Sequence, residues 1–205
     1  MTIEGTQIER QPSSQRPSRR DILSRLKLET AAEHAAIEGA TRVMSPELST
    51  AEYRRYLEDT FGFYKVVEAQ LSEAGVWDAL GLTSAERIKL PLLARDLELL
   101  GAGDTSRLDV CAAPPVFASV ADAVGGAYVL EGSTLGGRVI SRHLQQRLGA
   151  DVPRAFLECY GARTGENWQA FRTALGRFAD CRETEERVLH GAKATFQAFT
   201  RWLER

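Results

Sequence analysis

Cysteine and histidine are both scarce in this 205-residue chain, with three of each. Cys111, Cys159 and Cys181 are far apart, odd in number and form no CxxC pair. That spacing argues against a disulfide framework or a thiolate zinc site and suits a reducing cytosol. His34, His143 and His190 stand alone, with no HExxH and no paired ExxH sets of the kind a di-iron carboxylate bundle needs. Charge of one sign is also lacking. The 26 Lys and Arg nearly balance the 28 Asp and Glu, for a formal charge of -2, so general nucleic-acid binding has no electrostatic support. No stretch approaches the ~20 apolar residues of a membrane span. The N-terminus has no apolar core of a secretory signal. The expectation is a cytoplasmic protein without a nucleic-acid or membrane partner. No GxSxG elbow or P-loop is present, and no segment alternates like a strand.

What is present is helical pattern. Residues 1–20, "MTIEGTQIERQPSSQRPSRR", are rich in Gln, Ser, Pro and Arg without apolar period, and read as a flexible tail. From residue 21 to 205 the chain reads as one helical domain. Asp21 is placed to cap a first helix running to Gly39. Ser49-Thr-Ala-Glu52 and Thr83-Ser-Ala-Glu86 both have the form of capping boxes. Pro91 opens a helix that Gly101 stops, Pro153 opens a shorter one, and two amphipathic segments close the chain. The predicted architecture is an all-α, single-domain bundle of about seven helices.

The stretch from Val129 to Ile140, "VLEGSTLGGRVI", breaks the usual rule for a helix. It carries Gly132, Gly136 and Gly137, with Gly125 and Gly126 just upstream. Three interior glycines cost about 3 kcal/mol relative to alanine. Two gains would offset that loss. Helices can pack closely across a GxxxG spacing, or backbone can approach a large flat ligand. In the first helix, Leu23, Lys27, Thr30, His34 and Ile37 recur every three or four residues, on one stripe. A histidine there is more often packed than ligating. His143 and His190 read as solvent-facing.

Taken together, these segments resemble a known family. "LKLETAAEHAAIEGA" is similar to the proximal-helix motif of heme oxygenases, and "GGAYVLEGSTLGGRVISRHL" to their distal helix, above all in bacterial members that accompany bacteriophytochromes. "TFGFYKVVEAQL" and "ERVLHGAKATFQAF" fit in the same order. The resemblance covers roughly residues 21–205, and its most specific part is the glycine helix.

The resemblance implies the fold of that family and oxidative cleavage of heme to biliverdin, carbon monoxide and ferrous iron. Heme b is then both substrate and cofactor, with dioxygen and an external reductant. His34 matches the axial metal ligand. Gly132, Gly136 and Gly137 match the distal glycines. Phe196 matches a pocket aromatic, Lys27 a basic position near a propionate, and Arg172 a second propionate position. An aspartate that organises water in the animal enzymes is Ser133 here, and a heme-holding tyrosine falls at Ala127, one residue before Tyr128. Implied partners are an electron donor such as ferredoxin or a reductase, and a biliverdin-binding phytochrome. The competing reading is a non-enzymatic heme carrier or sensor on the same fold. The glycines on the distal side, where a carrier would often place a second axial side chain, favour the enzyme.

Overall fold

The computed structural model describes residues 21–205 and is helical throughout, with no strand among those residues. The predicted tail, 1–20, lies outside the described residues. Among the described residues nine α-helices follow one another: α1 (Ile22–Glu29), α2 (Ala31–Ala40), α3 (Thr50–Glu73), α4 (Val76–Leu80), α5 (Leu90–Leu99), α6 (Val120–Leu148), α7 (Ala155–Glu158), α8 (Thr164–Phe178) and α9 (Arg182–Leu203).

The caps explain several boundaries. The Asp21 carboxylate accepts from the Ser24 backbone N–H at 2.7 Å and starts α1. Ser49 and Glu52 exchange bonds reciprocally at the head of α3, which satisfies two otherwise unpaired donors. Pro91 sits in the first turn of α5, where a missing N–H costs nothing. Ser119 caps α6 by accepting from the Asp122 N–H. The second predicted capping box does not form. Thr83 makes no side-chain cap bond, and only a 3-10 turn, Ser84–Glu86, follows. The chain stops there because the next residues, Arg87 and Lys89, turn inward to a buried carboxylate.

The first predicted helix also divides. Thr30, at φ -112° and ψ 11°, separates α1 from α2. Its hydroxyl donates to the Leu26 carbonyl at 2.8 Å, a back-bond that competes with the regular ladder and bends helices. The predicted stripe therefore breaks. Thr30 is buried, while Lys27 and His34 are exposed on separate helices.

The core is built on α3, α6 and α9. In α3, Tyr53, Leu57, Phe61, Tyr64, Val67 and Leu71 recur every three or four residues and are buried. Phe63 stacks on Phe199 of α9 at 4.3 Å between ring centroids. The α6–α9 crossing depends on two glycines. A Cβ on Gly125 would strike the Val188 carbonyl, and one on Gly191 would strike the Asp122 carbonyl. Close packing thus accounts for part of the glycine enrichment, and α6 runs unbroken past all five of its glycines.

Candidate functional site

α2 and α6 both pack on α9 and make little contact with each other. The space between them is therefore floored by α9. α2 buries no residue at all, so its small face of alanines and its histidine are left for something other than the core. The His34 side chain is 60% exposed. Its Nδ1 lies 3.5 Å from Glu38 Oε1, one turn on. Its ring meets Phe196 of α9 edge to face, at 5.9 Å between centroids. Phe196 is itself buried. The structure thus brings His34 and Phe196 together.

On α6, the three glycines of the "EGSTLGG" segment do not share one role. A Cβ on Gly136 would meet nothing within 4 Å, and on Gly132 would meet only Trp168, at 3.8 Å. Gly137 is different. A Cβ there would strike the Leu157 carbonyl of α7. Its grouping with Gly132 and Gly136 is corrected accordingly: it lies on another side of α6 and permits helix packing.

Ser133 lies between the open glycines. Its hydroxyl donates to the Leu130 carbonyl at 2.9 Å, so the bond of 2.9 Å it makes with the Tyr64 hydroxyl has tyrosine as donor. Burial raises the Tyr64 phenol well above its ordinary value, with the Ser133 bond working the other way. The neutral phenol therefore persists at any physiological pH and keeps its proton to give. Sequence reasoning noted the "TFGFYKVVEAQL" segment but did not single out Tyr64. The only signal was its position in an aromatic helix.

At the other end of the cleft, Tyr128 packs against Trp168 of α8 at 5.8 Å. Burial raises its phenol, and the positive Arg172 nearby opposes that rise. The Asp21 carboxyl is held low by the Ser24 N–H, with Arg172 adding to the effect. Arg172 is thus within electrostatic reach of both Tyr128 and the start of α1. Its Nη1 is 3.5 Å from Gln169 Oε1 on the same helix. Lys27 is exposed on α1, past the bend from His34. Trp168, which sequence reasoning missed, connects Tyr128 to the Gly132 side of α6.

The other two histidines are engaged elsewhere. His143 is not solvent-facing as expected. Its Nε2 lies 3.0 Å from the Ser45 carbonyl, joining α6 to the loop after α2. His190 is exposed, with Nδ1 3.1 Å from the buried Asp122. No group of three or more His, Cys, Asp or Glu among the described residues is arranged to hold a metal ion. A depression between Arg54, Arg55, Glu58, Asp59 and Arg205 contains none of the expected residues. Its charges pair with one another. No helix among the described residues is long and apolar enough to cross a membrane.

Comparison with known proteins bears on the fold and the family. The chain is 32% identical over 113 residues to a heme oxygenase of Xanthomonas campestris pv. campestris, which covers 55% of this chain. The match spans 66% of that relative, just under two thirds of its length. Solved structures share the fold. A heme oxygenase from Leptospira interrogans superposes with a TM-score of 0.73 at 18% identity, covering 90% of this chain and 98% of that one. The NO- and CO-bound heme oxygenase of Neisseria meningitidis also scores 0.73, at 22% identity, covering 90% and 91%. Heme oxygenase-1 of the cyanobacterium Synechocystis, in complex with heme, scores 0.68 at 16% identity, covering 89% and 90%. At these identities the likeness establishes the all-α fold alone. The sequence match to the heme oxygenase family itself extends over residues 20–205, nearly the whole chain, and places this protein in the heme oxygenase family.

Proposed function

We propose that this protein cleaves heme to biliverdin, carbon monoxide and ferrous iron, using dioxygen and electrons from an external donor. The observation that carries the reading is the pairing of an exposed histidine on a helix with no core role, His34, with a second helix packed on the same α9, α6, whose Gly132 and Gly136 leave their side open.

The residues present fit a porphyrin. An imidazole braced by Phe196 is a suitable axial nitrogen donor. A helix face without Cβ atoms admits a flat macrocycle close to backbone. Lys27 and Arg172 are cations suited to the two propionates, and the Tyr128 hydroxyl is a further donor. Bound heme supplies the iron that activates dioxygen, and its own ring is the carbon that is oxidised.

The chain's contribution is positional and protic. His34 would hold the iron through its imidazole. Phe196 limits rotation of the imidazole. Gly132 and Gly136 set how closely the α6 backbone approaches the opposite face and what room is left there. The Tyr64 hydroxyl donates to Ser133 Oγ, whose remaining lone pair can accept from an ordered water and so orient it. Serine replaces the aspartate of the animal enzymes at this position, so the group that orients the water is a neutral hydroxyl rather than a carboxylate.

In this reading the electron donor is a separate ferredoxin or reductase, and the resemblance to bacteriophytochrome-associated members suggests a biliverdin-binding phytochrome as the receiver. The reading is that of a cytoplasmic enzyme. The test is anaerobic reconstitution with heme, followed by oxygen and ascorbate or a ferredoxin system, monitored by absorption. The heme band should decay as a biliverdin band grows. A stable heme complex that only autoxidises would identify a carrier or sensor instead.

A further inference from the structure

A buried ionic cluster lies directly behind the open glycines. Glu131, the residue before Gly132, is 1% exposed, as is Lys89, and Arg87 is 3% exposed. The Glu131 carboxylate takes a bond from Lys89 Nζ at 2.6 Å and from the Tyr160 hydroxyl at 2.8 Å. Arg87 Nη1 pairs with its other oxygen and also donates to the Asn167 carbonyl of α8 at 3.2 Å. The Tyr160 ring lies against both cations, at 5.6 and 5.5 Å from its centroid. Glu68 of α3 joins from the other side, accepting from the Lys89 backbone N–H at 2.7 Å. Cys159, next to Tyr160, has φ 25°, a left-handed value costly for a residue with a side chain.

A cluster of this kind contributes little net stability, since desolvating the charges offsets most of their attraction. What it can specify is register. The open face of α6 needs such a device, because Gly132 and Gly136 supply no side chains to interlock with neighbours. At about 100° per residue, Gly132, Ser133 and Gly136 lie about 100°, 160° and 140° around the helix from Glu131. Pinning Glu131 therefore fixes the opposite face toward the cleft.

We infer that Glu131 is a positioning residue, whose carboxylate, clamped by Arg87, Lys89 and Tyr160, sets the rotation of α6 that presents Gly132, Ser133 and Gly136 to the ligand. The inference deepens the heme oxygenase reading and rests on it for its activity readout. Its physical content concerns α6 alone and is measurable without heme.

The experiment uses Glu131→Gln, which keeps shape and removes charge, and Tyr160→Phe, which removes one bond from the carboxylate and is the milder change. Melting temperature, heme affinity, biliverdin turnover and apo-protein hydrogen exchange are compared with wild type. Positioning predicts that turnover falls about tenfold to a hundredfold in Glu131→Gln, with heme affinity within about threefold. Tyr160→Phe should fall between that variant and wild type. Amides 132–137 should exchange about tenfold faster, while those of α9 stay unchanged. A merely structural cluster would lower melting temperature, affinity and turnover together in both variants, with faster exchange throughout, and that result overturns the inference. So does unchanged exchange and turnover in the folded variants. If Glu131→Gln does not fold, Tyr160→Phe decides by the same readings. Absence of biliverdin from the wild type would defeat the heme oxygenase reading instead, and the apo exchange data would still decide the role of Glu131.

Discussion

The Tyr64 hydroxyl lies 2.9 Å from Ser133 Oγ, a bond that joins the middle of α3 to the open glycine segment of α6. Because Ser133 already gives its proton to the Leu130 carbonyl, the phenol is the donor. Tyr64→Phe leaves packing against Phe156, 5.3 Å away, intact. It should bind heme as wild type does and lose about tenfold in turnover, less than a directly positioned proton donor supplies, because it acts through Ser133. Ser133→Ala should lose a similar amount, and the double variant no more than either, since both break one chain. Single-turnover rates of the three variants check this.

His34→Ala should lose the histidine-ligated heme spectrum, with added imidazole restoring part of it. Apo stability should change by no more than about 0.5 kcal/mol, as for other exposed positions, because the side chain is 60% exposed. If His143→Ala or His190→Ala abolished ligation instead, the assignment would be wrong.

The glycines of α6 should respond according to what each faces. Gly136→Ala should stabilise the apo-protein by about 0.5–1 kcal/mol, since a Cβ there meets nothing and alanine is the better helix former. Gly136→Leu should fold normally yet lose most turnover. Gly137→Ala and Gly125→Ala should each destabilise by about 1–3 kcal/mol through overpacking against backbone. Thermal melts beside biliverdin yields separate the two groups.

Much of this was legible in the sequence, and the exceptions share a physical cause. Ser49–Glu52, Pro91 and the Asp21 cap read correctly because each acts within one turn of its own position. The Thr83 box failed because Arg87 and Lys89 are drawn to Glu131, more than forty residues away. Thr30 broke the first helix through a back-bond that periodicity does not encode. The α6 segment as a glycine-bearing helix was read from its own residues, whereas His34 as a ligand and Phe196 as a pocket aromatic came from family resemblance. Which glycine faces α7, α9 or open space depends on where those helices lie. Tyr64 was hidden among the apolar aromatics of α3, where spacing marks it as core and nothing marks its hydroxyl.

The Asp21 cap gives a pH prediction. Its carboxyl is held below the ordinary value of 3.8, chiefly by the Ser24 N–H. A lowered folded value means the stabilisation is complete above 3.8 and is lost as pH falls through the folded value. Asp21→Ala should therefore cost about 1 kcal/mol near neutrality, and its melting curve should converge with wild type in acid. A difference that persisted unchanged below pH 3 would rule the cap out as the source.

The central claim is that the cleft between α2 and α6 converts heme rather than storing it. The most direct measurement is the yield of biliverdin per heme consumed, in a single turnover of the reconstituted protein with oxygen and a reductant, by chromatography. The account predicts a yield near one-to-one in the wild type and little in Gly136→Leu. Heme that persists unchanged, or that bleaches without biliverdin, would contradict it.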